Sequence, residues 1–304
     1  MVSDLNRLVQ DETESVRGNE MYEIVEYIPT ESSNFPPLLF VHGAWHGAWC
    51  WKENFLPYFC DKGFPCYALS LRGHGGSEGI EKLHSFSLND YMDDVLEVMR
   101  HLKEKPVLIG HSMGGAVVQK VVYAHPDSIK MAILLASIPP QGLLKDLLRI
   151  YLIRVREGFK TLLFSRRRTS VPLLSQLLFS DNLTDEERNE LTKLLQPESR
   201  QAIGDLRRRI VPVPTSSLWA GLTGKRPQET NHPPQVPMLV LGSKKDAMFS
   251  EKTVQRTAKA YQTQPIIFPD LCHDMMLDPE WRSVADSIDT FLRETLSAEG
   301  KGRS

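Results

Sequence analysis

One serine lies in a sequence setting that can turn its hydroxyl into a nucleophile. Ser112 is at the centre of Gly110-His111-Ser112-Met113-Gly114, between an apolar run at 106–109 and an apolar-periodic helical pattern at 112–124. A sharp strand-to-helix turn of the form G-x-S-x-G exposes its serine for attack on a substrate. Side chains at the two glycines would crowd such a turn, and the serine must accept a strained backbone. The motif therefore predicts a nucleophilic Ser112.

A serine hydroxyl is a weak nucleophile unless a base removes its proton and a carboxylate orients that base. With this kind of turn, the chain order is serine, then acid, then histidine. Asp246 directly follows the predicted strand at 238–241, and His273 lies between the predicted strand Pro265–Phe268 and the terminal helical pattern. Ser112, His273 and Asp246 are therefore the predicted catalytic triad. Asp270, which is close to His273 in the sequence, stays open as an alternative acid.

Attack on a carbonyl group creates an oxyanion, which backbone N–H groups can stabilise. The N–H of Met113 is one predicted donor, because the first N–H groups of a helix are free. The second donor is expected in the loop after the strand at 37–41, where Gly43 permits a sharp turn. Ala44 is the candidate there, with Trp45 as the alternative, and His42 is expected to brace the loop.

Strand-like and helical patterns alternate along the chain, which predicts a doubly wound α/β fold. Several strands are continuous apolar runs, as is typical of a parallel sheet buried on both faces. The predicted strands are at 21–28, 37–41, 65–71, 106–109, 129–136, 238–241 and Pro265–Phe268, and the main helices at 88–104, 112–124, 251–261 and 280–296.

Residues 138–236 interrupt this alternation with helical patterns at 143–164 and 185–195. This stretch carries 16 Lys and Arg against 10 Asp and Glu, a net charge of +6, whereas the rest of the chain carries −8. The predicted domains are a core of residues 1–137 and 237–304 and a helical cap of residues 138–236. The arginines at 166–168 and 207–209 belong to solvated helix faces, to a basic lid that contacts anionic lipid or acyl groups, or to a surface that docks a partner protein.

The composition is that of an ordinary globular protein, with 41% hydrophobic and 24% charged residues. A net charge of −2 argues against nucleic acid as a general partner. No apolar run approaches the roughly 18 residues that span a bilayer, and the N-terminal segment lacks the apolar region of a signal peptide. We therefore expect a cytoplasmic protein without a transmembrane segment, while its oligomeric state stays open.

Taken together, the motifs resemble those of the α/β-hydrolase superfamily. The resemblance covers about residues 37–137 and 237–297. It implies a mostly parallel eight-stranded sheet flanked by helices, with a helical cap inserted after the sixth strand. The matching segments are Val41-His42-Gly43-Ala44, Leu71-Arg72-Gly73-His74-Gly75-Gly76-Ser77, Gly110-His111-Ser112-Met113-Gly114-Gly115, the Asp246 loop and His273.

Departures from the patterns of individual subfamilies narrow the chemistry. Haloalkane dehalogenases and epoxide hydrolases of this fold use an aspartate where this chain has Ser112. The Trp-rich loop at 43–51 is similar to that of plant methylesterases and hydroxynitrile lyases. The lyases carry a lysine where this chain has Asp274 and a threonine where it has Ala44, which disfavours cyanohydrin cleavage.

The triad and the resemblance predict a serine hydrolase that cleaves a carboxylic ester, or a thioester, through an acyl-enzyme on Ser112. No metal or organic cofactor is required by this chemistry, and the expected substrate is a small-molecule or lipid-like acyl compound. Two alternatives stay open: C–C bond hydrolysis or cofactor-free perhydrolysis at the same triad, and a ligand receptor or pseudoenzyme on this fold. The candidate pocket residues are His42, Gly43, Trp45, Trp219 and Met248.

Overall fold

The structure is a computed structural model that describes residues 21–31, 34–144, 146, 171–212 and 235–301. All seven predicted strands form: β1 (Ile24–Tyr27), β2 (Leu38–Val41), β3 (Cys66–Leu69), β4 (Val107–His111), β5 (Met131–Leu135), β6 (Met238–Ser243) and β7 (Pro265–Phe268). They build one sheet in the order β1-β3-β2-β4-β5-β6-β7. Strand β1 pairs antiparallel with β3, and every other pair is parallel.

The apolar runs behave as a doubly covered sheet requires. Strands β2, β4, β5 and β6 are buried along their whole length, whereas the edge strands β1 and β7 are only partly buried. Successive side chains of a strand point to opposite faces. Accordingly, Leu39 and Val41 belong to one apolar core and Leu38 and Phe40 to the other.

Helices cover both faces of the sheet. They are α1 (Trp49–Lys52), α2 (Phe55–Asp61), α3 (Leu88–His101), α4 (Met113–Ala124), α5 (Val171–Leu178), α6 (Asp185–Leu194), α7 (Arg200–Asp205), α8 (Glu251–Ala260) and α9 (Trp281–Lys301). Helices α3, α4 and α8 pack on one core, and α1, α2 and α9 on the other. Helix α3 begins at a capping box, in which the Ser87 hydroxyl accepts from the Asp90 N–H and the Asp90 carboxylate accepts from the Ser87 N–H.

The described part of the insertion, between β5 and β6, contains helices α5 to α7 and no strand. Helix α6 confirms the helical pattern at 185–195, whereas most of the pattern at 143–164 lies outside the described residues. The described chain has seven strands rather than eight, so the insertion follows the fifth of them. The α/β-hydrolase architecture itself is confirmed. Within the described ranges, no helix is long and apolar enough to cross a membrane.

Four of the parallel strands end at the same edge of the sheet. The loops after β2, β4, β6 and β7 carry Gly43, Ser112, Asp246 and His273, respectively. In an open parallel sheet, the carboxyl ends of the strands are where ligand sites form. The topology therefore brings together residues that are up to 230 positions apart in the sequence.

Candidate active site

Ser112 occupies a strained turn between β4 and α4. Its φ of 50° and ψ of −113° lie in a region that residues with side chains rarely adopt. The flanking glycines permit the turn: a Cβ on Gly110 would lie 2.6 Å from the Gly114 carbonyl oxygen, and one on Gly114 would lie 2.3 Å from the Val41 carbonyl oxygen. The Ser112 N–H and carbonyl bond to Leu135 and Ile138, which hold the turn in place.

The three residues of the predicted triad lie within hydrogen-bonding distance of one another. The Ser112 Oγ is 3.0 Å from His273 Nε2, and His273 Nδ1 is 2.9 Å from Asp246 Oδ2. In the neutral histidine that fits these contacts, Nδ1–H donates to the carboxylate and Nε2 accepts from the hydroxyl. All three side chains are buried. The arrangement can pass a proton from the serine to the histidine.

The charges around His273 favour its protonated form. Burial lowers the pKa of His273, but the neighbouring carboxylates of Asp246 and Asp274 outweigh burial, so the pKa is raised above its ordinary value. A raised pKa makes the ring a stronger base toward the Ser112 hydroxyl. It also stabilises the imidazolium that forms when that proton is taken.

Asp246 is held rigidly behind the histidine. Its Oδ1 accepts the N–H groups of Met248 at 2.7 Å and Phe249 at 2.9 Å, which leaves Oδ2 for His273. Asp270, the alternative acid, is exposed and forms an ion pair with Lys245. The geometry brings Asp246, and not Asp270, to the histidine.

Two backbone N–H groups are available beside Ser112. Met113 begins helix α4, and neither its N–H nor that of Ala44 has a hydrogen-bond partner among the described residues. Gly43 closely approaches the nucleophile, since a Cβ on it would lie 3.1 Å from the Ser112 Cβ. The alternative donor, the Trp45 N–H, is already engaged with Glu198 Oε2 at 3.3 Å. The free groups are therefore those of Ala44 and Met113.

His42 braces this loop from behind. Its Nδ1 donates to the Gly43 carbonyl at 2.8 Å, and its Nε2 accepts from the Leu71 N–H at 3.0 Å. The Gly43 carbonyl and the Ala44 N–H belong to one peptide unit and point in opposite directions, so the bond from His42 orients that N–H. Burial, chiefly, lowers the pKa of His42, which fits a neutral ring with one donor and one acceptor. Both ring nitrogens are hydrogen-bonded to backbone groups, so this fully buried ring lies behind the loop.

A buried glutamate of the insertion, which was not predicted from the sequence, contacts the same loop. Besides the Trp45 N–H, Glu198 bonds to His74 Nε2 at 3.0 Å and to the Tyr91 hydroxyl at 2.8 Å. His74 is thus paired with a carboxylate in the protein interior. Trp45 has a φ of 69°, and its carbonyl accepts from the Gln196 N–H at 3.0 Å. No local motif marks Glu198, because Trp45, His74 and Tyr91 are all more than 100 positions away.

His111, which precedes the nucleophile, points away from Ser112. Its Nε2 donates to the His273 carbonyl at 3.1 Å, and burial lowers its pKa to about 3. The ring is therefore neutral. Together with His273 and Asp274 it forms the one group of metal-ligating side chains found among the described residues. Both nitrogens of His273 and one of His111 already form hydrogen bonds, so these residues do not form a vacant ligand set.

Of the remaining pocket candidates, Trp45 lies in the loop after β2 and Met248 in the loop after β6. Trp45 lines a cavity of about 310 Å³ together with Arg200, Ile203 and Arg207 of the insertion. Met248 is half-buried next to Asp246, and Trp219 lies outside the described residues. A larger depression of about 570 Å³, at Ile80–Ser85 and Pro197, contains none of the predicted site residues.

Comparisons with known proteins agree with this architecture. Norfluorocurarine synthase 1 of Strychnos nux-vomica is 33% identical over 105 residues, which are 34% of this chain and 38% of that protein. Methylesterase 10 of Arabidopsis thaliana is 32% identical over 130 residues, which are 40% of this chain and 45% of that protein. The matches thus span less than half the length of these curated relatives.

Similarity in fold extends much further along the chain. The structure of a monoacylglycerol lipase from Paleococcus ferrophilus superposes on 90% of this chain and 99% of its own, with a TM-score of 0.62 and 19% sequence identity. The sequence profile of the alpha/beta hydrolase family matches residues 38–283, which include the turn at Ser112, the Asp246 loop and His273. The chain therefore belongs to the alpha/beta hydrolase family.

Proposed function

We propose that the protein hydrolyses a carboxylic ester, or a thioester, through a covalent acyl-enzyme on Ser112. The observation that carries this proposal is the hydrogen-bonded line from Ser112 Oγ through His273 to Asp246, with distances of 3.0 and 2.9 Å. This is the geometry in which a base activates a serine and a carboxylate fixes the base's tautomer. The esterase and lipase names among the similar proteins support the same reaction class.

In the first step, Ser112 Oγ forms a bond to the carbonyl carbon while its proton passes to His273 Nε2. The π-electron pair of the carbonyl moves onto its oxygen, where the N–H groups of Ala44 and Met113 stabilise the negative charge. Asp246 accepts the Nδ1–H throughout and stabilises the imidazolium. The intermediate then collapses, and the leaving alcohol or thiol takes the proton from His273 Nε2.

In the second step, water replaces the leaving group. His273 Nε2 takes a proton from the water as its oxygen attacks the acyl carbon. The bond to Ser112 Oγ breaks, and the serine recovers its proton from His273 while the carboxylic acid leaves. None of these steps requires a group other than the residues named and water.

We further propose that residues 138–236 form a cap that shapes the substrate pocket. Glu198 and Gln196 already contact Trp45, so the described part of this segment borders the loop that carries Ala44. A cavity of about 310 Å³ is lined by Trp45, Ile203, Arg200 and Arg207. It is large enough for part of a small acyl substrate. The lining also includes Glu198, but the arginines outnumber it, which favours an acyl compound over a highly cationic one.

A different reaction at the same triad is the second candidate. One relative of the chain is named a synthase and not an esterase, which motivates keeping this alternative. C–C bond hydrolysis or perhydrolysis would use Ser112 and His273 with another substrate. A ligand receptor is disfavoured, because binding alone does not need an activated serine.

A labelling and turnover experiment on the full chain tests the proposal. We expect a fluorophosphonate to label the peptide containing Ser112 and p-nitrophenyl esters of graded chain length to be hydrolysed. Ser112→Ala should abolish both. The matched control is Ser137→Ala, which removes a nearby buried hydroxyl that bonds to Gln119 and the Ile138 carbonyl. Labelling without ester turnover would favour the second candidate, and absence of both contradicts an activated serine.

A further inference from the structure

A second buried histidine lies close to the candidate active site in a different bonding environment. His46 is fully buried, and its ring stacks on that of Trp49 at 5.2 Å. Its Nδ1 is 2.8 Å from the Ala44 carbonyl oxygen, and its Nε2 is 2.8 Å from Asp274 Oδ2. A carbonyl and an ionised carboxylate can only accept hydrogen bonds, so both ring nitrogens must donate. With Asp274 ionised, this arrangement gives both ring nitrogens of His46 the role of donors.

Asp274, its partner, is a fully buried carboxylate directly after His273. Burial raises the pKa of Asp274, but His46, which is hydrogen-bonded to it, is the chief group that outweighs burial, so the pKa is lowered and the group is ionised. Its Oδ1 has no hydrogen-bond partner among the described residues and lies 3.6 Å from His111 Nε2. Its N–H donates to the carbonyl of Leu178, the last residue of α5. A buried charge with one unpaired oxygen is destabilising, which points to a role beyond packing.

We propose that His46 and Asp274 are positioning residues of the hydrolase site, an inference that rests on the proposed function. His46 holds the carbonyl of the Ala44–Trp45 peptide, whose N–H is held by Glu198. His42 holds the carbonyl of the preceding peptide. With both peptide planes fixed, the Ala44 N–H has one direction, toward Ser112. Asp274 anchors His46 and so links the loop that carries Ala44 (the oxyanion loop) to the loop that carries His273.

Asp274 also places a second negative charge beside that base. The groups that face His273 are the carboxylates of Asp246 and Asp274, the neutral ring of His111, the Ser112 hydroxyl and the ring of Phe249. The groups near Asp274, besides His46, His111 and His273, are the thiols of Cys50 and Cys272. Burial raises the pKa of both thiols, so they stay uncharged. Removing the Asp274 charge should therefore make His273 harder to protonate.

The test compares two equivalent substitutions in one loop. Asp274→Asn removes the charge next to His273, whereas Asp278→Asn changes an equally buried carboxylate that accepts the N–H groups of Cys272 and Glu280. With p-nitrophenyl acetate, we expect Asp274→Asn to lower kcat about tenfold with KM little changed. The acid limb of its pH profile should move about one unit lower. Asp278→Asn should leave that limb in place, and equal shifts in both variants contradict the proposal.

A second variant separates the effect of the Asp274 charge from the effect of His46 on the position of the oxyanion loop. His46→Gln keeps Asp274 but loses the imidazolium, so kcat should fall without any move of the acid limb to lower pH. If His46→Gln leaves kcat unchanged, His46 does not position the oxyanion loop. This variant also covers the case in which Asp274→Asn does not fold.

A spectroscopic readout makes the inference independent of activity. In the ¹⁵N-labelled protein at pH 7.5, NMR should show both ring nitrogens of His46 protonated, with the signals assigned by their loss in His46→Gln. Asp274→Asn should leave one nitrogen unprotonated. A neutral His46 in the unmodified protein overturns the inference. If esters are not turned over at all, the proposed function fails while this protonation result still stands or falls separately.

Discussion

Two buried histidine–carboxylate pairs lie side by side in this protein, and they differ in their third partner. His273 pairs with Asp246 and faces the Ser112 hydroxyl, whereas His46 pairs with Asp274 and faces the Ala44 carbonyl. A hydroxyl can donate to a neutral ring and then give up its proton, but a carbonyl can only accept. The third partner thus decides whether such a pair can serve as a base or only as a fixed charge.

The two pairs also differ in the protonation states that the protein must accommodate. A base must be able to exist in both protonation states, so the pocket around His273 must tolerate a neutral and a charged ring. A fixed imidazolium needs only one state, and its carboxylate can be paired permanently. Substitutions at the first pair should therefore act mainly on catalysis, and substitutions at buried fixed pairs should act on stability as well.

The largest effect should come from removing Ser112 or His273, the two residues between which the proton passes. Ser112→Ala and His273→Ala should each lower kcat on the order of 10⁵–10⁶-fold, because each removes the whole nucleophilic route. The double variant should lose little more, since the two groups act as a unit. Measured kcat values with p-nitrophenyl esters, with circular dichroism to check folding, decide this. Losses that multiply in the double variant would show that the residues act independently.

The next effect concerns the carboxylate of the first pair. Asp246→Asn should lower kcat on the order of 10⁴-fold with folding intact, because an amide can turn the imidazole to the wrong tautomer. Asp270→Asn is the matched control, since Asp270 is exposed and bonded to Lys245. Its kcat should stay within about twofold of the unmodified protein. The acid is misassigned if Asp270→Asn has the larger effect.

A third, smaller effect should appear at another fixed pair, His74–Glu198. Burial lowers the pKa of His74, but Glu198 outweighs burial and the pKa is raised. A raised pKa in the folded state contributes stability that is present below about pH 6.5 and is lost as the pH rises through the raised value. Glu198→Gln should therefore lower the free energy of unfolding by about 3 kcal/mol at pH 6, and by less at pH 9.

Urea unfolding at the two pH values measures this difference. Glu190→Gln, on the exposed surface of α6, is the control and should change stability little at either pH. A destabilisation by Glu198→Gln that grows with pH would mean that His74 is not held as a cation.

The smallest effect on catalysis should come from exposed charges, which sharpens the contrast with the buried pairs. Arg208 and Arg209 are exposed and do not line the cavity beside Trp45, and replacing both by glutamine should leave kcat on a soluble ester within about twofold. The same change should weaken partitioning onto phosphatidylglycerol vesicles, because each basic residue near an anionic surface adds about 1 kcal/mol. An unchanged partition coefficient would show that these arginines are only solvated.

Much of the fold was predictable because its signals are local. Apolar runs predict the seven strands, and the two glycines around Ser112 predict the sharp turn that carries it. Chain order then leads to Asp246 and His273, since each follows a strand of a parallel sheet. The short helices α1 and α2 were not predicted, because in the sequence they read as part of the Trp-rich loop and its continuation.

The buried polar network was not predictable in the same way. His46 meets Asp274 across 228 positions, and Glu198 meets His74 across 124. Such partnerships depend on where a loop and the insertion come to lie, which no pattern within one segment encodes. The bracing role of His42 was expected from its place beside Gly43, whereas its second partner, the Leu71 N–H, comes from a segment 29 positions away. The pairing of His46 with both the Ala44 carbonyl and Asp274 is known only from the fold.

The most direct test of the account is to trap the acyl-enzyme. A rapid acid quench during turnover of a p-nitrophenyl ester, followed by peptide mass spectrometry, should find the acyl group on Ser112. Asp246→Asn should accumulate less of it in the same time, since its first step is slowed. Ester turnover with the acyl group on another residue, or with no covalent intermediate under conditions that give a burst of p-nitrophenol, would contradict the account.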